Sequence, residues 1–320
     1  MRPARIVARR ALTYPDGARP TEDRSAHVRA ASGLAWLRDE GGARLVIAQD
    51  DTSFLAVLDD AGAVRESVRL DHQVAGRRVF ESRLGNKQHK LDLEAATTLP
   101  DGRVLVVGSG SLAARERVVI CDGRSARVVA LPAFYAALRD ERGFSGSELN
   151  VEGAAVLGDA LVLANRGNGA PDAVGPPVDA VAALSLAALL AHVDGGAVPA
   201  IEQVTALALG EMGGVRLTLT DLCARRGALY FLASAEASPN AIDDGVVVGT
   251  AVGRVEGSSA CWVPIVDEAG APSTAKVEGL AWASPTGEGS RVLAVVDRDD
   301  PDAASELLTI ELPAELVPPS

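Results

Sequence analysis

The sequence predicts an all-β fold, and three observations lead there. Apolar runs of five to eight residues, rich in Val, Leu and Ala, follow one another with Gly, Asp and Pro between them. A local pattern recurs as Ser32-Gly-Leu-Ala-Trp36, Glu94-Ala-Ala, Glu152-Gly-Ala-Ala, Asp221-Leu-Cys and Glu278-Gly-Leu-Ala-Trp282, at intervals of 62, 58, 69 and 57 residues. Each opening is answered 13 to 19 residues later by the polar end of a second run. Units of this kind cannot bury their own faces, so they must pack around a common axis. The expected architecture is a five-bladed β-propeller with four-stranded blades, formed by residues 1–320 as a single domain.

The elements follow in order. The first unit offers strands at Ser32–Leu37, Arg44–Gln49, Phe54–Leu58 and Val64–Leu70. The second offers Leu93–Leu99, Arg103–Val107, Arg117–Cys121 and Ala126–Leu131. The third gives Val151–Leu157, Ala160–Ala164, Val181–Leu186 and Ile201–Leu209, and the fourth Leu217–Ala224, Ala228–Ala233, Gly245–Val255 and Cys261–Val266. Turn signals such as Asp59-Asp-Ala-Gly62, Pro100-Asp-Gly102 and Cys121-Asp-Gly123 separate them. The fifth unit has only Val277–Ala283, Arg291–Val296 and Glu306–Leu312, while the chain begins with a spare strand, Arg5–Thr13. Placing that strand on the outside of the last blade closes the ring. Ala and Leu runs predict short helices at Pro132–Asp140 and Ala187–Val193. The Gly/Pro-rich segment Gly169–Pro177 is a long loop of the kind that often carries function.

Composition narrows the partners. A net charge of −12 disfavours nucleic acid and anionic membrane surfaces, both of which need basic stripes. No apolar run approaches the length of a membrane span, and the N-terminus has no apolar leader core. Cys121, Cys223 and Cys261 form no C-x-x-C pair and lie in apolar runs, as buried thiols of a reducing compartment do, so the expected location is cytoplasmic. The four histidines form no metal-binding pair. Arginine outnumbers lysine 28 to 3, a bias that fits a GC-rich genome.

In a propeller, first-strand openings and second-strand ends meet at one mouth. The openings bring Glu94, Glu152, Asp221 and Glu278, with Ser32 interrupting the acidic series. The ends bring Asp50-Asp51, Ser109-Gly-Ser111, Arg166-Gly-Asn168, Ser234-Ala-Glu236 and Asp297-Arg-Asp299. Nine carboxylates therefore converge, and like charges in a partly desolvated site resist joint ionisation. Three remedies stand open: a hard cation, for which oxygen-rich sites without histidine suit Ca2+ or Mg2+; fixed Arg or Lys, with Lys90 and Lys276 just ahead of Glu94 and Glu278; or raised pKa values suited to a general acid or base. A structural reading competes, in which acids at inner strands cap backbone N–H groups of the next blade. Trp36 and Trp282 are expected as core between adjoining blades. Gly108-Ser-Gly-Ser111 and Gly143-Phe-Ser-Gly-Ser147 lack the spacing of a nucleophile elbow, and Asp297-Arg-Asp-Asp-Pro-Asp302 lacks the glycine and closing glutamate of an EF-hand. Ser238–Gly245 reads as a turn-rich loop.

These residues carry a resemblance. Lys276-Val-Glu-Gly-Leu-Ala-Trp282 followed by Arg291-Val-Leu-Ala-Val-Val-Asp-Arg-Asp-Asp300 resembles a pattern of phytase-like and esterase-like bacterial propellers, and Asn150-Val-Glu-Gly153 answered by Arg166 is similar. With Asp92-Leu-Glu94, Gly108-Ser-Gly-Ser111 and Ala235-Glu236…Asp244-Gly245, the whole chain resembles an uncharacterised bacterial propeller family of unknown function. The resemblance implies a propeller and permits metal-dependent ester or phosphoester hydrolysis. Propeller phytases take phosphates with basic residues, and few basic residues are expected in this funnel.

The resulting expectation is a divalent-cation-dependent hydrolase of a small ester, lactone or phosphoester. Glu152, Arg166 and Asp297 are its candidate catalytic residues, Glu94, Asp221, Glu278 and Asp299 its candidate Ca2+ or Mg2+ ligands. Asp50, Ser109, Asn168, Glu236 and Lys90 are the candidate ligand-binding residues, and no organic cofactor is expected. The alternative is a non-catalytic propeller that binds a small ligand or a protein at the same mouth; 11 aromatic residues are few for a sugar lectin. A purely structural scaffold is a third reading.

Overall fold

The computed structural model describes residues 1–173, 175–237 and 245–317. Strand β1 (Ala4–Ala11) precedes a first meander of β2 (Ala31–Asp39), β3 (Gly42–Gln49), β4 (Phe54–Leu58) and β5 (Val64–Arg69). A second meander comprises β6 (Leu93–Thr98), β7 (Val104–Gly108), β8 (Arg117–Cys121) and β9 (Ala126–Ala130). Helices α1 (Pro132–Asp140) and α2 (Arg142–Ser145) lead to β10 (Val151–Leu157), β11 (Ala160–Asn165) and β12 (Ala180–Ser185), then α3 (Leu186–Val193) and β13 (Ile201–Ala206). The remainder is β14 (Glu211–Met212), β15 (Val215–Arg225), β16 (Ala228–Ala237), β17 (Val246–Glu256), β18 (Ser259–Val266), β19 (Lys276–Trp282), β20 (Arg291–Asp297) and β21 (Glu306–Glu311).

The all-β expectation holds, but five separate four-stranded blades do not. Three sheets have four strands each, β2–β5, β6–β9 and β10–β13, and the rest is one nine-stranded sheet in the order β14-β15-β16-β17-β18-β1-β21-β20-β19. The join is β1. It pairs antiparallel with β21 along most of its length and parallel with β18 through Ala4↔Ile265 and Arg5↔Val266. Main-chain hydrogen bonds thus run continuously where two blades were expected to meet only through side chains. The short strand β14 adds a further edge outside β15, through Glu211↔Arg216 and Met212↔Val215.

The arrangement remains propeller-like at its centre. Strand β2 packs against β6 and β19, β6 against β10, and β10 against β15, which in turn meets β19, so five first strands surround one axis. Inner strands such as β4, β7 and β11 are covered on both faces, which is why they read as continuous apolar runs, whereas the outer strands β5, β9 and β13 are partly exposed. Separate apolar clusters fill the gaps: Ala35, Val46, Leu93 and Val106 between the first two sheets, and Trp36, Ile47, Ala281 and Val295 between first and last. Removing each such Val, Leu or Ile side chain from water contributes roughly 1.5–3 kcal/mol. Helix α1, with Pro132 at its first turn, buries Phe134, Tyr135 and Leu138 over the gap between the second and third sheets.

Candidate functional site

The first strands share a device that positions the site. In all five, the pairing with the second strand slips near the start: between Ala31 and Leu34, Leu93 and Ala95, Val151 and Gly153, Leu219 and Asp221, and Val277 and Leu280. A bulge leaves one residue unpaired and re-aims its side chain. The re-aimed residues are Ser32, Glu94, Glu152, Thr220 and Glu278. Glycine follows the bulge where strands approach closely: a Cβ on Gly153 would lie 2.7 Å from the Leu222 nitrogen, and one on Gly279 would lie 2.8 Å from the Leu34 nitrogen.

This register corrects the assignment of Asp221. Spacing along the chain equates it with Glu94, Glu152 and Glu278, yet the bulge in β15 puts Thr220 at that position. The Thr220 hydroxyl donates to the Val277 carbonyl at 2.9 Å, just as the Ser32 hydroxyl donates to the Leu93 carbonyl. Asp221, one residue on, is fully buried, and its carboxylate accepts the N–H groups of Leu222 at 2.7 Å and Leu280 at 2.6 Å. It ties β15 to β19 and is absent from the walls of the central cavity. The expected metal ligand is a backbone clasp.

The cavity, about 320 Å³, lies at the starts of the first strands and is lined by eleven carboxylate and seven cationic side chains. Eight of the nine acids expected at this mouth line it: Asp50, Asp51, Glu94, Glu152, Glu236, Glu278, Asp297 and Asp299. Lys90, Arg166 and Asn168 line it too. Ser109 does not. It is buried behind the wall, where its hydroxyl donates to the Asp92 carboxylate and pairs with the Ser111 hydroxyl at 2.9 Å. It therefore holds a wall residue rather than facing a ligand. The 238–244 part of the loop at Ser238–Gly245 lies outside the described residues, as does Val174 of the loop at 169–177.

Fixed cations answer most of the acids. The Lys90 ammonium donates to Asp50 at 2.7 and 2.8 Å and lies 2.5 Å from Asp92, whose other oxygen accepts from Arg115 at 2.7 Å. Arg166 crosses from the end of β11 to Glu236 at 2.6 Å, with Glu152 at 3.5 Å. Lys276 sits 2.7 Å from Asp299, 3.6 Å from Asp297 and 3.7 Å from Glu278. Near the rim, Arg29 bonds Asp51 at 2.6 Å and Glu81 at 2.5 Å. All three lysines of the chain, Lys87, Lys90 and Lys276, line this one cavity.

Electrostatics then separates the acids into two kinds. Burial pushes Asp92 up, but the charges of Lys90 and Arg115 outweigh it and bring the carboxyl to about 2. Glu94 goes the other way: burial, then the neighbouring Asp50, Asp92, Glu152 and Glu278, hold it well above the usual carboxylate range. Glu278 is raised chiefly by burial against the pull of Lys276, and Glu152 by burial against the pull of Arg166. Burial also lifts Asp51 to about 6 in spite of Arg29, and one of its oxygens is buried without a hydrogen-bond partner. Oxygens of Asp50, Asp92 and Glu94 approach within 4.8 Å of one another, a hard-donor triad that can accept a divalent cation.

Sequence reasoning missed Asp92, Asn150, Arg115, Arg29, Glu81 and Lys87 as wall residues. Two of them carried a signal. Asp92 and Asn150 stand two residues before Glu94 and Glu152, so strand alternation puts them on the same side. Arg29, Glu81, Lys87 and Arg115 come from connections between strands, where no period operates.

Solved structures of low identity cover most of the chain. The catalytic domain of a Coprinopsis cinerea α-L-arabinofuranosidase is 13% identical, with 96% of each chain covered and a TM-score of 0.48. A gluconolactonase from Xanthomonas campestris is 12% identical over 98% of this chain and 96% of that one, with a TM-score of 0.40. Virginiamycin B lyase from Staphylococcus aureus is 11% identical over 88% and 80%, with a TM-score of 0.38. No curated protein matches the sequence. The model of one family does match, over residues 27–312, and the chain accordingly belongs to DUF6929, a family of unknown function.

Proposed function

We propose that the carboxylate-lined cavity is the active site of a hydrolase acting on a small polar ester, lactone or phosphoester. Glu94 carries the reading. It is a buried carboxyl on the cavity wall, raised toward its protonated form, with no hydrogen bond from any described residue. A neutral acid without a protein partner is a proton donor held for something that enters the cavity.

Water adds to the acyl carbon or phosphorus and gives its proton to the Glu152 carboxylate, whose ionised form Arg166 favours from 3.5 Å. The bond to the leaving oxygen breaks, and Glu94 supplies the proton which that oxygen takes up. Arg166 faces the negative charge that develops between these steps. Ca2+ or Mg2+ is an alternative to this acid rather than an addition to it: held by Asp50, Asp92 and Glu94, it would keep Glu94 ionised and would supply Lewis-acid stabilisation in place of the proton. The triad fits such an ion in donor chemistry, but the Lys90 ammonium already contacts Asp50 and Asp92, so the ion would have to take its place. A second reading, binding without turnover, is favoured by this same pairing, since a wall whose charges are already matched suits an uncharged polar ligand.

The deciding experiment is a panel of chromogenic esters, lactones and phosphoesters with wild type, Glu94→Gln and Glu152→Gln, with and without Ca2+ or Mg2+. Turnover lost by about a hundredfold or more in both variants supports the reading. Turnover unchanged by both, or saturable binding of panel members with no turnover, overturns it in favour of another site or of a binding protein.

A further inference from the structure

A second cavity, about 340 Å³, opens at the opposite ends of the same first strands, among Trp36, Thr98, Val156, Cys223 and Trp282. Its chemistry is the inverse of the first. The chain carries 43 acidic residues, yet no Asp or Glu lines this opening. Its charged members are Arg38, Arg225 and Arg226, and its floor is apolar, with Leu34, Leu222 and Leu280 beside the two tryptophans.

The three guanidiniums have no carboxylate partner among the described residues. Arg38 and Arg226 are exposed. Arg225 is half-buried, lies 4.2 Å over the Trp282 ring and donates through Nη1 to the Gly289 carbonyl at 2.8 Å. Its Nε–H is buried without an acceptor, and so is the Trp282 indole N–H. In a protein of net charge −12, where most arginines can find an acid, three unpaired ones around one apolar opening are a concentrated anion-binding feature.

We propose that this cavity binds an amphipathic carboxylate, a small molecule with one anionic head and an apolar body. The body lies against Trp36, Trp282 and Leu280. The head sits at the mouth of the cavity beside the half-buried Arg225 guanidinium, which Trp282 and the Gly289 carbonyl hold in place, and Arg38 and Arg226 add charge at the rim. A cavity of this volume takes a ligand of a dozen or so heavy atoms rather than a protein segment. The site is independent of the acid-lined cavity and of its chemistry.

Two of the chain's three tryptophans line the cavity, so intrinsic fluorescence reads its occupancy. Octanoate, octanol and acetate serve as probes, with wild type, Arg225→Gln and the double variant Arg38→Gln/Arg226→Gln. Octanoate is expected to give a saturable change at sub-millimolar concentration, while octanol, lacking the head, and acetate, lacking the body, bind at least about tenfold more weakly. Arg225→Gln is expected to weaken octanoate by about tenfold. Should that variant fail to fold, the double variant decides, because both of its positions are exposed and a loss of several-fold is expected there. Equal responses to octanoate and octanol overturn the proposal, as does octanoate binding that neither variant alters, or no saturable response at millimolar probe.

Discussion

The Asp221 carboxylate accepts the Leu280 backbone N–H at 2.6 Å, from one first strand to the next. It also accepts the N–H of Leu222, and burial holds the carboxyl well above the ordinary aspartate range. Replacing it with Asn turns one acceptor into a donor that faces an amide. We expect Asp221→Asn to lose about 1–3 kcal/mol in urea unfolding, with ligand binding in the acid cavity unchanged. Unchanged stability, or a selective loss of binding, would contradict the clasp.

Arg166 stands between Glu152 and Glu236, all three nearly excluded from water. Removing one member of such a group strands buried charge. Arg166→Met should cost about 3–5 kcal/mol, and adding Glu236→Gln should restore part of that loss. Additive losses in the double variant would show that the two side chains act separately.

Asp51 gives a pH signature. Its folded pKa of about 6 lies above the ordinary 3.8, so the folded chain holds a proton that the unfolded chain releases in this range. Its contribution is therefore full below pH 3.8 and is lost as pH rises to about 6, by on the order of 3 kcal/mol. Thermal unfolding of wild type and Asp51→Asn across that window should differ in slope, with the wild type falling more steeply. Parallel curves would place the titration elsewhere.

A divalent cation at the triad of Asp50, Asp92 and Glu94 would compete with the Lys90 ammonium, which contacts Asp50 and Asp92. Lys90→Gln should therefore raise the stabilisation by millimolar Ca2+, with an affinity gain of about tenfold or more over wild type, read as a shift in Tm. Adding Asp92→Asn should remove it. A Lys90→Gln protein no more responsive than wild type would mean that the three carboxylates hold no metal.

Much of the β architecture was legible because it is local. Phe54–Leu58, Arg117–Cys121 and Val151–Leu157 are strands with the bounds that their composition predicts, and Pro132–Asp140 is a helix. The merger of the last two units was not legible, because it rests on Ala4 and Arg5 meeting Ile265 and Val266 across most of the chain. At the site, Glu94, Glu152 and Glu278 announced themselves by period and by the strand that follows. Asp221 misleads, because chain spacing puts an acid at the position that a bulge gives to Thr220. Arg115 and Arg29 reach the wall from loops, and no spacing rule foretells where a loop arginine will fold back.

The placement of the lysines has a practical side. With 28 arginines elsewhere and all three ε-amines on one wall, amine-selective acylating reagents address only this cavity and the chain terminus. Lys87, half-buried, should be modified first, and Lys90, enclosed by carboxylates that keep it protonated, last. Anything occupying the cavity would shield Lys87, so the order and extent of labelling reports occupancy before any ligand has been identified.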